Sequence, residues 1–174
     1  MLDISIAYNR YQFLGNEFLT WLWFIIEKKP ETISFPDKEP VSLETGNRIV
    51  LVKKINDIDE SVTIKGDDAG LEEGMLALGK GSIVTELNLL LKSNNQQWRF
   101  TIKGESFNIS GIKVPESGPA ESKKDIEGIV IEKAYLYERV FLILDDLFKK
   151  FIKLRLSSEW DHDVLPLIKK WIKE

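Results

Sequence analysis

The sequence predicts an α+β fold with a mostly antiparallel sheet, an aromatic N-terminal helix, a long C-terminal amphipathic helix and a short final helix. Three observations predict it. An aromatic helical segment opens the chain, short apolar runs separated by turn residues fill the middle, and a long 3.6-residue apolar period occupies the end. The chain has 174 residues, 43% of them hydrophobic, which fits one domain over 1–174.

Residues 11–28 form the predicted N-terminal helix, because apolar side chains occupy nearly every position and leave only a thin polar stripe. A helix that is apolar almost all round is buried on several sides or lies at a subunit interface. Pro30 follows it and cannot continue a helix. The candidates for an interface on this helix are Phe18, Trp21 and Trp23.

The middle of the chain predicts a sheet, preceded by a proline-rich loop over 31–40. In 41–54, two apolar runs are joined by Thr45-Gly46-Asn47, which predicts a hairpin. A strand over 62–65, a turn at 66–68 and a short helix over 71–78 follow. Further strands are predicted at 83–91, 98–102 and 107–114, with a turn at Asn94-Asn95.

The last third of the chain predicts two helices. Residues 115–124 are rich in proline, glycine and serine and form a predicted internal linker. Apolar residues then recur with a 3.6-residue period, which predicts one long amphipathic helix over 125–156. We expect Ser157 and Ser158 to cap a final helix over 159–173. Its predicted packing face consists of Trp160, Leu167 and Trp171.

Composition narrows the class of protein. The chain has no cysteine, which excludes disulfides and thiolate metal sites. The longest apolar run, 18–26, is much shorter than the roughly 20 residues that span a bilayer. The first ten residues lack the basic and then apolar order of a signal peptide. We therefore expect a cytoplasmic protein.

No motif in the sequence indicates catalysis. The one histidine, His162, stands between two aspartates at the start of the predicted final helix, where solvated side chains are common. A magnesium nuclease would need Pro-Asp ahead of Glu-x-Lys on adjacent strands, whereas Pro36-Asp37 has no such partner in the right order and context. We expect a protein that is not an enzyme and that holds no cofactor and no metal ion.

Charge is unevenly distributed along the chain. The net charge is −4, with −6 in residues 1–90 and +2 in residues 91–174, so any anion-binding surface must be local. Four cations lie within seven residues near the end of the long helix. They complement the helix dipole, or they hold phosphates without reading bases. These candidate nucleic-acid-binding residues are Lys149, Lys150, Lys153 and Arg155.

Residues 62–91 carry an ordered set of motifs. A strand ends at Lys65, a short helix begins with Glu72-Glu73, a glycine turn follows at Gly81, and a strand reads Val-Thr-Glu-Leu-Asn-Leu over 84–89. This order resembles the C-terminal half of the recombination-associated protein RdgC family. The similarity includes the aromatic segment 14–24, and it continues through 98–100 and 112–114.

The resemblance implies a function and a partner. RdgC proteins form ring-shaped dimers around duplex DNA, bind it without sequence preference and restrain RecA-dependent strand exchange. By resemblance, this chain would be a non-enzymatic, sequence-independent double-stranded DNA-binding protein linked to recombination or replication, and a homodimer. Lys65 is the lysine that remains from the family's lysine-rich turn, which lines the DNA channel.

The resemblance also leaves an alternative. Family members usually carry an N-terminal half that helps to close the ring, whereas this chain begins close to the segment that resembles the family at 14–24. The alternative is a protein–protein interaction module of unknown pathway that has lost DNA binding, with the aromatic N-terminal helix as its contact.

Overall fold

The computed structural model describes residues 13–33, 40–55, 58–66, 70–119 and 122–173, and it confirms the α+β class. The helices are α1 (Phe13–Lys28), α2 (Gly70–Gly79), α3 (Lys123–Arg155) and α4 (Leu165–Trp171), with a short 3₁₀ helix at Pro30–Thr32. The strands are β1 (Ser42–Ile55), β2 (Ile58–Lys65), β3 (Ile83–Ser93), β4 (Gln96–Lys103) and β5 (Asn108–Lys113). The long C-terminal helix thus forms within two residues of its predicted bounds.

The five strands form one antiparallel sheet in the order β2-β1-β3-β4-β5. The β3–β4 hairpin turns at Asn94 and Asn95, as predicted. Their φ angles are 46° and 63°, and a two-residue hairpin turn of this kind requires positive φ at both positions. Asparagine tolerates that conformation better than most residues, so the pair fixes the register of the hairpin.

The hairpin predicted at Thr45-Gly46-Asn47 is wrong, because β1 runs straight through these residues. The strand instead carries a bulge, since Thr45 pairs with Leu89 while Ile49 pairs with Leu87. Glycine is needed at 46 for space, because a Cβ atom there would stand 2.0 Å from the side-chain oxygen of Asn88. Glycine at this position thus reflects a close approach between two strands and not a turn.

All the helices in the described residues pack on one face of the sheet, and the core lies between the two layers. α1 lies against β1 and β3, and the ring of Trp21 is 5.6 Å from that of Phe151 on α3. The indole N–H of Trp98 on β4 donates to the carbonyl of Leu136 at 3.1 Å. Because α1 is enclosed by the sheet and by other helices, its almost continuous apolar surface is accounted for within the chain.

The end of the chain differs from the prediction in two details. The Ser157 hydroxyl donates to the carbonyl of Leu154 in α3 and does not cap the next helix. A π turn at Trp160–Val164 precedes α4 and adds one residue to the helical period. The extra residue shifts the packing face, so Ile168 is buried in place of Leu167, while Trp171 is buried as predicted.

α3 begins at Lys123 with a capping box, in which the Ser122 hydroxyl accepts from the N–H of Asp125 and the Asp125 carboxylate accepts in return. The predicted linker has no regular structure over 114–119. Residues 120–121 of that linker, 34–39 of the predicted loop, and Asp67 and Asp68 of the predicted turn lie outside the described residues, as do residues 11 and 12. Within the described ranges, no helix has the length and apolarity that crossing a membrane requires.

Candidate nucleic-acid interface

The three interface candidates on α1 lie inside the protein's own core. Phe18 and Trp21 are each 2% exposed and Trp23 is 0% exposed. The ring of Trp23 packs edge-on against that of Trp171 at 5.3 Å. The expectation that these residues contact a second subunit is therefore wrong, because α3, α4 and the sheet already cover them.

The four cations near the end of α3 have separate local partners. Lys149 donates to Asp145 one turn earlier, and this hydrogen bond raises the pKa of Lys149 above its ordinary value. The Nζ atom of Lys150 lies 3.5 Å from the carbonyl oxygen of Thr32. Lys150 therefore already has a hydrogen-bond partner within the protein.

Arg155 is the most strongly tied of the four. Its Nε donates to Glu17 of α1 at 2.8 Å, a hydrogen bond that raises the pKa of Arg155, and its guanidinium lies 5.3 Å from the ring centre of Trp160. Lys153 is exposed and has no ion pair within the described part of the chain. Two of the four cations, Lys150 and Arg155, thus link α3 to other helical segments, whereas Lys149 bonds within α3.

Lys65 lies on the opposite side of the protein from those helix residues. Its neighbour Ile64 is buried against the helices, and successive residues of a strand point to opposite faces. Lys65 therefore points to the face of the sheet that none of the described helices covers, which we call the open face. The structure does not bring Lys65 together with the cations of α3.

The open face concentrates positive charge. Among the described side chains of the five strands, it carries six cations and two carboxylates, Glu44 and Glu86, as the alternation and pairing of the strands require. This balance contrasts with the net charge of −4 for the whole chain. The six cations are Arg48, Lys65, Lys92, Arg99, Lys103 and Lys113.

Four of the six cations form two like-charged pairs across neighbouring strands. Arg99 of β4 is directly opposite Lys113 of β5, and Arg48 of β1 is directly opposite Lys65 of β2. Directly opposed residues have Cβ atoms about 5 Å apart, and like charges at that separation destabilise a sheet. Within the described residues, neither Arg99 nor Lys113 forms an ion pair.

The carboxylates of the open face neutralise only part of this charge. Glu86 lies between two cations, 3.3 Å from Arg48 and 3.3 Å from Lys103. Glu44 holds Lys92 at 2.6 Å on an exposed part of the face. Among the described residues, Lys65, Arg99 and Lys113 form no ion pair, and Glu86 balances only one of its two cations.

A concavity of about 550 Å³ adjoins the Arg99–Lys113 pair. The side-chain amides of the β3–β4 turn and the start of β4 line it together with the two cations, and Glu116 is its one acidic lining residue. Amides donate hydrogen bonds and the two cations supply charge, which is a combination suited to oxyanions such as phosphate. The remaining lining residues are Asn95, Gln96, Gln97, Val114 and Pro115.

Asn88 makes the centre of the open face rigid. Its amide nitrogen donates to the carbonyl of Phe100 at 3.1 Å and to the hydroxyl of Thr101 at 2.9 Å. Gly46 leaves the space that this side chain occupies. These bonds tie β3 to β4 beside the β1 bulge, so the cations on either side project from a fixed surface.

Five of these cations, all except Lys65, were not predicted from the sequence. Each is a single charged residue within a strand in which apolar and polar residues alternate, so none belongs to a run of cations. Alternation was the available signal: Arg99 lies between Trp98 and Phe100, which are both buried, so it must point to the other face. The sequence does not state which strands are neighbours, and the cation pairs exist only through that pairing. The described residues contain no cluster of histidine and acidic side chains able to hold a metal ion.

Comparison with known proteins gave no match to a family model, to a curated protein or to a solved structure. The resemblance to the RdgC family therefore rests on the sequence motifs in 14–24, 62–91, 98–100 and 112–114.

Proposed function

We propose that this chain binds double-stranded DNA without reading its sequence, and that the open face of the sheet holds the duplex. The observation that carries the proposal is the like-charged pair Arg99–Lys113, which is directly opposed on β4 and β5 and forms no ion pair among the described residues. In this view the protein acts by binding and catalyses no reaction. The alternative, an interaction module that has lost DNA binding, gives no reason for two cations to be kept directly opposite each other.

Electrostatics supports an anionic ligand on this face. Two opposed cations cost stability in the absence of an anion, and a phosphate between them converts that repulsion into two attractive contacts. Arg48 and Lys65 repeat the arrangement on the other side of the face. A ligand with regularly repeated phosphates can occupy both sites together.

The spacing of the two pairs suits a duplex. Strands lie about 4.8 Å apart, which separates the midpoints of the two pairs by about 14 Å across the sheet. The strand register also offsets them by two residues, or about 7 Å, so the midpoints are about 16 Å apart. Arginine and lysine side chains are long and flexible, so the two pairs can reach phosphates on both sides of a major groove roughly 12 Å wide. Within the described part of the open face there is no aromatic side chain for stacking on bases, which favours duplex over single-stranded DNA.

The biological setting of this proposal comes from the resemblance to RdgC proteins. We propose a role in DNA recombination or replication, where a protein that covers duplex without sequence preference limits the access of other proteins. The same proposal places the chain in the cytoplasm. The residues of α3 that served as candidates for phosphate contact have no part in this proposal, because they lie on the helical side of the sheet.

The test is a fluorescence-polarization titration of the protein with random-sequence duplex at 50 and 200 mM salt. Neutralising about four phosphates gives a slope of about −3.6 in log affinity against log salt, and thus a loss of about 150-fold between these conditions. A single-stranded oligonucleotide of the same length should bind more weakly. Affinity that is independent of salt would contradict the proposal.

A pair of matched variants identifies the surface. The double substitution Arg99→Glu and Lys113→Glu should lower duplex affinity at least tenfold and reduce the salt slope by about two. The control, Lys149→Glu with Lys153→Glu, changes the net charge equally on the helical side and should leave affinity within about twofold. Equal losses in both variants would mean that net charge, and not the open face, governs binding.

A further inference from the structure

The first part of α3 extends beyond the core. The helix has 33 residues, which corresponds to a length of about 50 Å. Its buried residues begin only at Leu136, so residues 123–135 extend for about 20 Å with every side chain exposed apart from the half-buried Ile129, as far as the described residues show. An isolated helical segment of this length is marginally stable in water, and a projecting segment with apolar side chains gains stability from a partner.

The projecting segment carries an apolar stripe that continues onto the exposed side of the next turns. Its residues follow one another at spacings of 4, 4, 3 and 4, which places them within about 80° of one another around the helix. Four of them are large and lie 55%, 61%, 39% and 49% exposed in chain order, and the fifth is an alanine. We call this set the α3 stripe: Ile126, Val130, Tyr137 and Phe141, with Ala134 near its midpoint.

We propose that the α3 stripe is a dimer interface, which binds the same stripe of a second copy in the antiparallel direction. The stripe is nearly symmetric about a point between Lys133 and Ala134. An antiparallel copy therefore places Ile126 against Phe141 and Val130 against Tyr137, so that each aliphatic side chain meets an aromatic one. A two-fold axis through the midpoint uses the same surface on both copies, and alanine there allows the helices to approach closely.

Charge favours the antiparallel direction. In this arrangement Lys123 of one copy lies opposite position 144 of the other, beside the exposed Asp145, whose carboxylate also binds Lys149 of its own helix. A parallel pair would instead bring Lys123 and Lys124 against the same residues of the second copy. Complementary charges at both ends thus select one direction and fix the register.

The area of the stripe fits a reversible dimer. The exposed parts of its four large side chains amount to roughly 400 Å² per copy, or roughly 800 Å² in the pair. The stems of flanking side chains bring the total to about 1,000 Å², near the lower limit for specific interfaces. We therefore expect a dissociation constant in the micromolar range. This inference is independent of DNA binding, because the stripe shares no residue with the open face.

Sedimentation velocity over a range of protein concentrations tests the dimer. The wild-type protein should shift from monomer to dimer between about 1 and 100 μM. Val130→Glu should weaken dimerisation at least tenfold, whereas Tyr135→Glu should leave it unchanged. The two residues are matched, because each is 61% exposed on the same segment, but Tyr135 lies on the other side of the helix. A wild-type protein that stays monomeric throughout, or a Tyr135→Glu variant that is equally affected, overturns the proposal.

Cysteine cross-linking tests the direction of pairing, since the chain has no native cysteine. In the Ala134→Cys variant, the cysteines of the two copies lie close to each other at the two-fold axis. A short thiol cross-linker should therefore join them into a covalent dimer. Ile126→Cys alone should not cross-link, because antiparallel pairing places the two cysteines about 22 Å apart. Ile126→Cys combined with Phe141→Cys should cross-link again. Efficient cross-linking of Ile126→Cys by itself would show a parallel pair and overturn the proposed arrangement.

Discussion

Replacing Lys113 by glutamate tests whether the like-charged pair on the open face lowers the stability of the folded protein. In the present sheet Lys113 is directly opposite Arg99, and Lys113→Glu turns a repulsive pair into an attractive one. Cross-strand charge pairs contribute about 0.2–1 kcal/mol in either sense. Because Lys113 is exposed to solvent, we expect a total change of about 0.5–1 kcal/mol in favour of the folded state.

The assay is thermal unfolding in the absence of DNA, followed by circular dichroism. For a chain of this size, 1 kcal/mol shifts the Tm by about 2–4 °C, so Lys113→Glu should raise the Tm by about 1–4 °C. Lys113→Gln removes only the repulsion and should give about half that rise. The increase should shrink at about 1 M salt, where charges are screened beyond about 3 Å.

The same variant should bind duplex DNA more weakly although its fold is more stable. This combination separates loss of a binding contact from loss of structure, because a misfolded variant would lose both properties. A lower Tm for Lys113→Glu at low salt would refute the reasoning, since Arg99 and Lys113 could not then repel each other in the folded protein.

The remaining predictions concern backbone contacts and one buried hydrogen bond. Gly15→Ala should lower the Tm by about 4–10 °C, because its new Cβ would stand 1.8 Å from the carbonyl oxygen of Gly104 and force α1 away from the sheet. Gly128→Ala, on α3 with nothing within 4 Å, should instead raise the Tm by about 1–4 °C through helix propensity; an equal fall in both glycine variants would contradict the close contact. Trp98→Phe loses the bond to the Leu136 carbonyl and leaves a cavity, so its free energy of unfolding in urea should fall by about 1–3 kcal/mol, whereas an unchanged midpoint would mean that this bond contributes nothing.

The fold was largely predictable because its elements are marked by local signals. The 3.6-residue period of α3 predicted a helix over 125–156, and the structure has Lys123–Arg155. Asn94-Asn95 likewise predicted the turn between β3 and β4, and both residues have the positive φ angles that such a turn requires. The prediction failed at Gly46, where a turn signal and a close contact between strands look the same in sequence. Only the position of Asn88 on a strand 42 residues later distinguishes them.

The candidate site was less predictable because its charges are brought together by pairing between distant segments. Arg48 and Lys65 are separated by 17 residues and Arg99 and Lys113 by 14, yet each pair is directly opposed in the sheet. The cations at 149–155 predicted a binding surface because they lie close together along the chain. One of them, Arg155, bonds to Glu17, 138 residues earlier. No residue near Arg155 in the sequence indicates that partner.

The one-sided placement of the helices has a consequence for how this chain can change over time. Every second residue of the central strands contributes to the core, whereas the intervening positions, apart from Asn88 and Gly46, are largely released from the demands of folding. Substitutions at those intervening positions can therefore alter the preferred ligand without endangering the fold. Chains that share this scaffold should keep their alternating apolar residues while the charges between them diverge.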